Sequence, residues 1–438
     1  IGLVGSEMCI RDSDWMDEFK LRFSLGQTGN SASGASLYLG SYASGNNYMD
    51  MSAITPSSMQ LNKLKWETTT EYNTGLDATF LKGKLRFTVD VYQKYVKDLL
   101  QPKVKMPTTI GYGNGYQISY MNSGKMTNKG WEFRVDAVPF QNKDWRVGVY
   151  FNIAHNENKI TEMPDNYIEE NYTFGNGNYA YRREEGRPMG SFYGYRYKGV
   201  YQNKDATYAR DIEGNVMKDI SGNAIVMRNG SYTVAPGDAI YEDVNHDGVI
   251  NQYDIVYLGN SNPRLTGGAG LNVSYKQFKL SAIFYGRYGQ DVVNATRLNN
   301  ESMRGIDNQS TAVLRRWRNE GDQTDIPRAL YGEGYNTLGS DRFVEDASYL
   351  RLKSLSFTYR LPKKAIQRWG FNNIDVYVTG YNLFTWTKYT GQDPEVKTEN
   401  TYARDTATTP ASIQLVAGFN LSCLLYTSPS PRDRSVSR

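Results

Sequence analysis

Residues 84–94 read "KLRFTVDVYQK", 130–140 read "GWEFRVDAVPF" and 144–156 read "DWRVGVYFNIAHN". In the first, Leu85, Phe87, Val89 and Val91 fall on one face, and Lys84, Arg86, Thr88, Asp90 and Lys94 on the other. In the second, Trp131, Phe133, Val135 and Ala137 oppose Glu132, Arg134 and Asp136. In the third, Trp145, Val147, Val149, Phe151 and Ile153 oppose Arg146, Tyr150 and Asn152. Apolar and polar residues thus alternate with period two over about ten residues, the periodicity of a strand with two unlike faces. The fold class that follows is all-β.

Composition agrees. The chain has 438 residues, 39% of them hydrophobic and 13% aromatic, with 35 Tyr, 41 Gly and 14 Pro. Tyrosine suits strands, and glycine is frequent where strands turn or approach closely. No stretch reaches the roughly 18 consecutive apolar residues of a membrane helix. That excludes a helical membrane protein but not a transmembrane barrel, whose strands alternate. With 50 Lys and Arg against 46 Asp and Glu, the net charge of +4 gives no case for a nucleic-acid partner. The two cysteines, Cys9 and Cys423, lie in end segments unlike the rest, "IGLVGSEMCIRDS" and "CLLYTSPSPRDRSVSR". Residues 1–13 and 423–438 are expected to be an artefactual lead and tail, leaving 14–422 as the folded part and no cysteine for a disulfide or thiol site.

A soluble sandwich would alternate in the same way, so connections and aromatics have to discriminate. Very short connections fall at residues 82–83, 141–143 and around Gln277, with a compact one over 362–373. Between them lie long polar segments, roughly 99–128, 159–187, 291–348 and 389–410. Aromatics at strand ends, Trp131, Trp145, Trp386 and Tyr389, suit membrane-interface girdles. Short turns on one side and long loops on the other are the outer-membrane arrangement. The loops include 159–264 and 291–348. Candidate strands near 19–27, 66–81, 84–97, 130–140, 144–157, 190–201, 265–276, 278–289, 349–361, 374–387 and 411–421 make about eleven. That is half of an antiparallel transmembrane barrel of about 22 strands, with two open edges that should leave the piece unstable alone.

Two local irregularities stand out. In "YLRLKSLSFTYRLP" (349–362), Leu350 and Leu352 share one parity, and Leu355, Phe357, Tyr359 and Leu361 share the other. A bulge near residues 353–354 would return both sets to one face. The one helix-like piece, "STAVLRRWRNEG" (310–321), is expected to be a helix within a loop.

"YEDVNHDGVINQYD" (241–254) carries the spacing of a calcium loop. Asp243, Asn245, Asp247 and Asn251 supply side-chain oxygens, Val249 a carbonyl, and Asp254 stands where an EF-hand has a bidentate Glu. Gly248 permits the sharp turn. Ca²⁺ takes six to eight oxygens, and alternate residues of a tight loop can point that many inward. The other reading is a turn whose Asp and Asn side chains cap their own backbone. The flanks, "PGDAIYE" and "QYDIVYLGNSNP", are β- and turn-like, whereas a sensor EF-hand needs helices. Strand parity puts the loop on the extracellular side.

The other motifs are weak. "GYGNGY" (111–116) and "GNGNY" (175–179) lack the Lys-Ser/Thr of a Walker loop. His246 sits at a solvent-pointing position of the calcium-type loop and His155 near a strand end, neither with a partner at catalytic spacing. Glu184 and Glu185, as strand neighbours, would face opposite ways. No enzymatic activity is expected. Tyr112, Tyr116, Tyr179, Tyr181, Trp317 and Tyr335 are loop aromatics of the kind that bind sugars or peptides. For any single one of them, ordinary loop packing or girdle anchoring is the better explanation.

Residues 64–100, 122–133 ("NSGKMTNKGWEF"), 185–202 ("EGRPMGSFYGYRYKGVYQ"), 236–294 and 344–396 resemble, in order, the C-terminal half of SusC/RagA-type TonB-linked outer-membrane transporters of Bacteroidota. The resemblance implies a barrel of about 22 strands embedded in outer-membrane lipid, a plug domain outside this chain, a SusD-like lipoprotein lid, and TonB-driven import of a glycan or peptide. The family's last strand ends in an aromatic residue, whereas "VAGFNLS" is followed here by Cys423. Two other readings remain: a secreted, calcium-stabilised adhesin or glycan-binding β-protein, and a siderophore-type receptor. The first requires the apolar strand faces to be buried against a second sheet.

Overall fold

The computed structural model describes residues 15–31, 37–105, 109, 117–163, 174–332, 334–396, 398–399 and 402–423. Ten long strands form one antiparallel sheet in strict chain order. They are β1 (Met16–Asn30), β2 (Glu67–Phe80), β3 (Leu85–Lys97), β4 (Lys125–Gln141), β5 (Trp145–Glu162), β6 (Leu265–Tyr275), β7 (Phe278–Tyr288), β8 (Tyr349–Arg360), β9 (Phe371–Thr387) and β10 (Gln414–Cys423). No helix among the described residues is long and apolar enough to cross a membrane, which says nothing of strands. The terminal segments, Tyr112, Tyr116 and "GYGNGY" lie outside the described residues, apart from Cys423, which ends β10 opposite Phe371.

The apolar residues share one face across the sheet, as the register shows: Leu21 opposite Leu76, Leu76 opposite Val89, Val89 opposite Phe133, Phe133 opposite Ile153. That face is uncovered. Phe23 is 58% exposed, Val91 54%, Phe151 44% and Phe419 67%. No second sheet lies over it among the described residues, so the arrangement that a soluble sandwich requires is absent. Trp131, Trp145 and Trp386 lie on this face and are exposed, as girdle residues would be.

The opposite face is polar and knitted by charge. Arg22 reaches over the facing Gly75 to Asp90 at 3.0 Å and bonds Asp77 at 2.7 Å; Arg134 holds Asp136 at 2.7 Å. Tyrosine and glycine work in pairs here. Tyr92 stands opposite Gly130, Tyr150 opposite Gly270 and Tyr377 opposite Gly418, each ring lying where a Cβ on its glycine would have to be.

The bulge is present at the expected place. Phe284 pairs with Leu352 and Ile283 with Ser354, so Lys353 is the extra residue, and the register to β9 breaks there too. Leu350, Leu352, Leu355, Phe357 and Tyr359 consequently share the apolar face.

One expected strand is not in the wall. Residues 190–201 form two four-residue strands instead, Ser191–Gly194 paired with Val256–Asn260 and Tyr197–Val200 paired with Ala239–Tyr241. A wall strand buries neither face fully, whereas all four residues of Ser191–Gly194 are buried. The helix-like piece is only a 3₁₀ turn, Thr311–Arg315; short α-turns lie instead at Ala295–Asn300 and Lys363–Ile366.

The long connections β5–β6, β7–β8 and β9–β10 fold together at one end of the sheet into a crown with a conventional interior. Tyr193, Tyr195, Tyr201, Met227, Tyr241, Ile250 and Leu338 form its main cluster; Tyr179, Phe192, Val293, Leu298 and Phe343 form a second. The hydrophobic core of this chain therefore lies in its long loops, while its strands turn their apolar residues outward. Tyr389 belongs to this interior and not to a girdle: it is 6% exposed and its hydroxyl donates to Asp405 at 2.6 Å.

Candidate functional site

Residues 243–254 sit in the crown between short strands. Ala239–Tyr241 precedes the loop, Val249–Ile250 lies within it, and a 3₁₀ turn, Gln252–Asp254, closes it. No α-helix flanks it, so the helix pair of a calcium sensor is missing. His246 takes a left-handed conformation (φ 56°) and Gly248 another (φ 81°), which together reverse the chain.

The acidic side chains fasten the loop to its own backbone. Asp243 accepts the Asp247 N–H at 3.2 Å and the Gly248 N–H at 2.8 Å; Asp247 accepts the Val249 N–H at 2.8 Å. Asp254, fully buried, accepts the Val244 N–H at 2.9 Å with one oxygen and the Asn251 N–H at 2.8 Å with the other. Asn251 caps the 3₁₀ turn by accepting the Tyr253 N–H at 2.8 Å, and its amide donates to the Val249 carbonyl at 3.1 Å. Asn245 donates to Asp247 at 2.9 Å.

Electrostatically the loop is unbalanced. None of its three carboxylates has a Lys or Arg ion-pair partner among the described residues. Burial pushes the Asp254 carboxyl above its ordinary value, the repulsion of Asp243 and Asp247 adding to the effect while the Asn251 and Val244 N–H groups oppose it. A cation would relieve that repulsion. The residues match calcium in donor type but do not form a closed cage, since no group of three or more His, Cys, Asp or Glu among the described residues is placed to hold a metal.

Sequence reasoning missed what the loop holds. Residues 209–225, "ARDIEGNVMKDISGNAI", contain a D-I-x-G-N repeat eight residues apart. Asp211 accepts the Asn215 N–H at 2.8 Å and Asp219 the Asn223 N–H at 2.8 Å, making two like turns. Between them three segments pair in a closed triangle: Ala209 N–H donates to Ile225 at 2.8 Å, Met217 to Ala209 at 2.8 Å, and Ile225 to Met217 at 2.9 Å. A Cβ on Gly248 would stand 3.1 Å from the Ala209 Cβ, so the fastened loop seats this triangle. Val249 and Ile250 also pair in parallel with Arg228 and Asn229. His246 is exposed, yet its Nδ1 lies 3.4 Å from the Arg210 carbonyl oxygen.

The loop aromatics mostly serve packing. Tyr179 is buried and its hydroxyl donates to the Ser340 carbonyl at 2.8 Å; Tyr181 is buried; Trp317 packs over Gly237; Tyr335 stacks on Tyr232 with centroids 4.8 Å apart. Glu184 and Glu185 lie outside any strand and serve different partners, the Tyr193 hydroxyl at 2.8 Å and the Met163 N–H at 2.6 Å. His155 contacts the Arg264 carbonyl oxygen at 2.6 Å.

An outward apolar face, a charged inner face and an elaborated crown at one end define a membrane-barrel wall. The chain matches the family described as "TonB dependent receptor-like, beta-barrel" over residues 13–383, and it belongs to that family. Among curated relatives, TonB-dependent receptor P3 of Formosa agariphila is 30% identical over 407 residues, covering 91% of this chain and 38% of the relative. TonB-dependent receptor SusC of Bacteroides thetaiotaomicron is 29% identical over 411 residues, 90% of this chain and 37% of its own length. The solved structure of the RagAB peptide transporter superposes with a TM-score of 0.72 at 27% identity, over 94% of this chain and 42% of that one. The resemblance to SusC/RagA-type receptors is thereby borne out, and the chain spans less than half the length of these relatives.

Proposed function

We propose that this barrel portion serves TonB-dependent uptake of a glycan or oligopeptide across the outer membrane of a Gram-negative, Bacteroidota-like bacterium, beneath a SusD-like surface lipoprotein. The observation that carries the reading is the uncovered apolar face of a ten-stranded meander whose long connections gather at one end. Such a face belongs against lipid. The relatives are named receptors and a peptide transporter, none an enzyme. The fastened loop then lies in the extracellular crown, where it orders a long connection without sensing anything.

The test uses the intact gene in a Bacteroidota host. The product should fractionate with the outer membrane, co-purify with a lipoprotein, and support accumulation of a labelled oligosaccharide or peptide only when TonB is present. Recovery of the full-length product from the soluble fraction would overturn the reading, and expression controlled by iron would favour a siderophore-type receptor instead.

We propose in addition that Ca²⁺ binds the loop weakly, through Asp243, Asn245, Asp247, Asn251 and Asp254 side chains and the Val249 carbonyl. Each carboxylate oxygen that accepts one N–H keeps a second lone pair for a cation. Bound there, calcium supplies the positive charge that the loop lacks, at the millimolar-class affinity usual for extracellular modules.

A further inference from the structure

We propose that the polar inner wall just below the crown holds a carboxylate-binding subsite centred on Arg287; this rests on the reading above, in which cargo passes along that face. Four side chains of β7 and β8 meet there by register. Arg287 stands opposite Tyr349, and Tyr285 opposite Arg351. On the far side, β6 presents only Thr266 opposite Arg287 and Gly268 opposite Tyr285, so the neighbouring wall is low and leaves space over the pair.

The two cations beside Arg287, on β8, are answered. Arg351, nearly buried, is held by Asp393 and, at 2.9 Å, by Glu395; Lys353 reaches the same Glu395 at 2.8 Å. Both acids come from the β9–β10 connection, which the Gln290 amide also pins by donating to the Pro394 carbonyl at 3.1 Å. Arg287 differs. Its Nε donates to the Tyr285 hydroxyl at 3.2 Å, and its two terminal nitrogens have no acceptor among the described residues. The Tyr349 hydroxyl beside it is buried with no partner, on a residue only 5% exposed. Leaving a buried hydroxyl and a guanidinium edge unanswered is costly, and one acceptor group would satisfy both.

Charge chooses the acceptor. Three cations, Arg287, Arg351 and Lys353, face two carboxylates, Asp393 and Glu395, so one positive charge remains. A monoanion neutralises it, whereas a phosphate dianion would leave the wall negative. The planar fork of Arg287 fits a carboxylate with two parallel hydrogen bonds, the Tyr349 hydroxyl can donate a third, and the Tyr285 and Tyr349 rings, 6.3 Å apart, offer apolar edges to the rest of the ligand. A carboxylate reaches this wall either as a uronic-acid residue of a glycan or as the C-terminus of a peptide.

The experiment titrates the full-length receptor, in detergent, with galacturonate di- and trisaccharides and their methyl esters, and with alanine tripeptides bearing free or amidated C-termini. One carboxylated arm should bind roughly tenfold to a hundredfold more tightly than its neutral counterpart, the worth of one charge-assisted hydrogen bond set. Which arm binds identifies the source of the carboxylate. Arg287→Gln should erase the preference, Tyr349→Phe should reduce it, and Arg134→Gln, elsewhere on the same wall, should leave it intact. Equal binding of charged and neutral ligands, a preference that survives Arg287→Gln, or no binding by any carboxylated member overturns the subsite. Carboxylate binding without TonB-dependent accumulation in cells would instead overturn the uptake reading alone.

Discussion

Tyr150 lies flat across Gly270, its directly opposed neighbour on the next strand, and leaves no room there for a Cβ. The same pairing recurs at Tyr92 and Gly130 and at Tyr377 and Gly418, where a Cβ would stand 2.6 Å from the tyrosine hydroxyl in each case. An aromatic ring lying along the polar face of the sheet needs a gap beside it, and glycine on the adjacent strand supplies one. The abundance of both residue types thus has a structural cause in the wall itself.

Gly270→Ala should destabilise the barrel by about 1–3 kcal/mol, the usual cost of overpacking. The double variant Tyr150→Ala/Gly270→Ala should lose less than the two single losses added together, because the clash needs both partners. The temperature at which the folded band disappears on a heat-modifiable gel of the full-length receptor measures both; strict additivity would refute the pairing.

Deleting Lys353 removes the one residue that lets Leu350 and Leu352 share a face with Leu355 and Phe357. Without the bulge, one half of β8 must turn its leucines to the polar side. Outer-membrane assembly should fall steeply, whereas Lys353→Gln, which keeps the backbone count, should assemble normally. Equal yields of the two variants would show that the register is set elsewhere.

Asp238 is fully buried and accepts hydrogen bonds from Arg328 at 2.7 Å, the Tyr232 hydroxyl at 2.9 Å, the Ala235 N–H at 2.8 Å and the Asn336 amide at 3.1 Å. Asp238→Ala strands all of these donors and should cost the crown about 3 kcal/mol. Hydrogen exchange should accelerate across residues 228–241 and 326–338 while the wall strands keep their protection. Uniform exchange in both regions would mean that crown and wall unfold as one unit.

Asp254 gives the crown a pH dependence of known sign. Its folded-state carboxyl titrates above the ordinary value because of burial, so the folded form binds the proton more tightly than the unfolded form. Its contribution is therefore most favourable below the ordinary carboxylate range and is lost as pH rises through the raised value. In calcium-free buffer the crown of the wild type should gain stability as pH is lowered through the raised value toward the ordinary carboxylate value, and Asp254→Asn should gain less.

Calcium bound at the loop as proposed would act on the charged form and reverse that trend. Adding millimolar Ca²⁺ at pH 7 should raise the unfolding temperature of the wild type, and Asp243→Ala/Asp247→Ala should abolish the rise. A wild type indifferent to calcium would leave the loop as a self-capped turn.

Much of the fold was legible because its signals are local. Alternation over ten residues reports two unlike faces whatever the strand pairs with, and the parity slip in residues 349–362 demanded a bulge before any partner was known. The D-I-x-G-N repeat was present in the chain but silent, since nothing in two turns says that the segments between them close into a triangle. Residues 190–201 look like a wall strand for a related reason: Tyr193, Tyr195 and Tyr197 alternate, and only pairing with residues 239–241 and 256–260 reveals short strands, the first buried on both sides.

By itself, the sequence determined that this protein is an antiparallel wall with one apolar face, short turns at one end and long loops at the other. It also showed that the flanks of the loop at residues 243–254 are β- and turn-like, which disfavours the helix pair of a calcium sensor. Only the tertiary structure decided that the long loops hold the hydrophobic core, that Tyr389 is interior, and that the Arg287 terminal nitrogens and the Tyr349 hydroxyl stand side by side with no acceptor among the described residues. These facts depend on contacts between residues tens to hundreds of positions apart. Local periodicity carries no record of which distant segment will cover a side chain or leave it free.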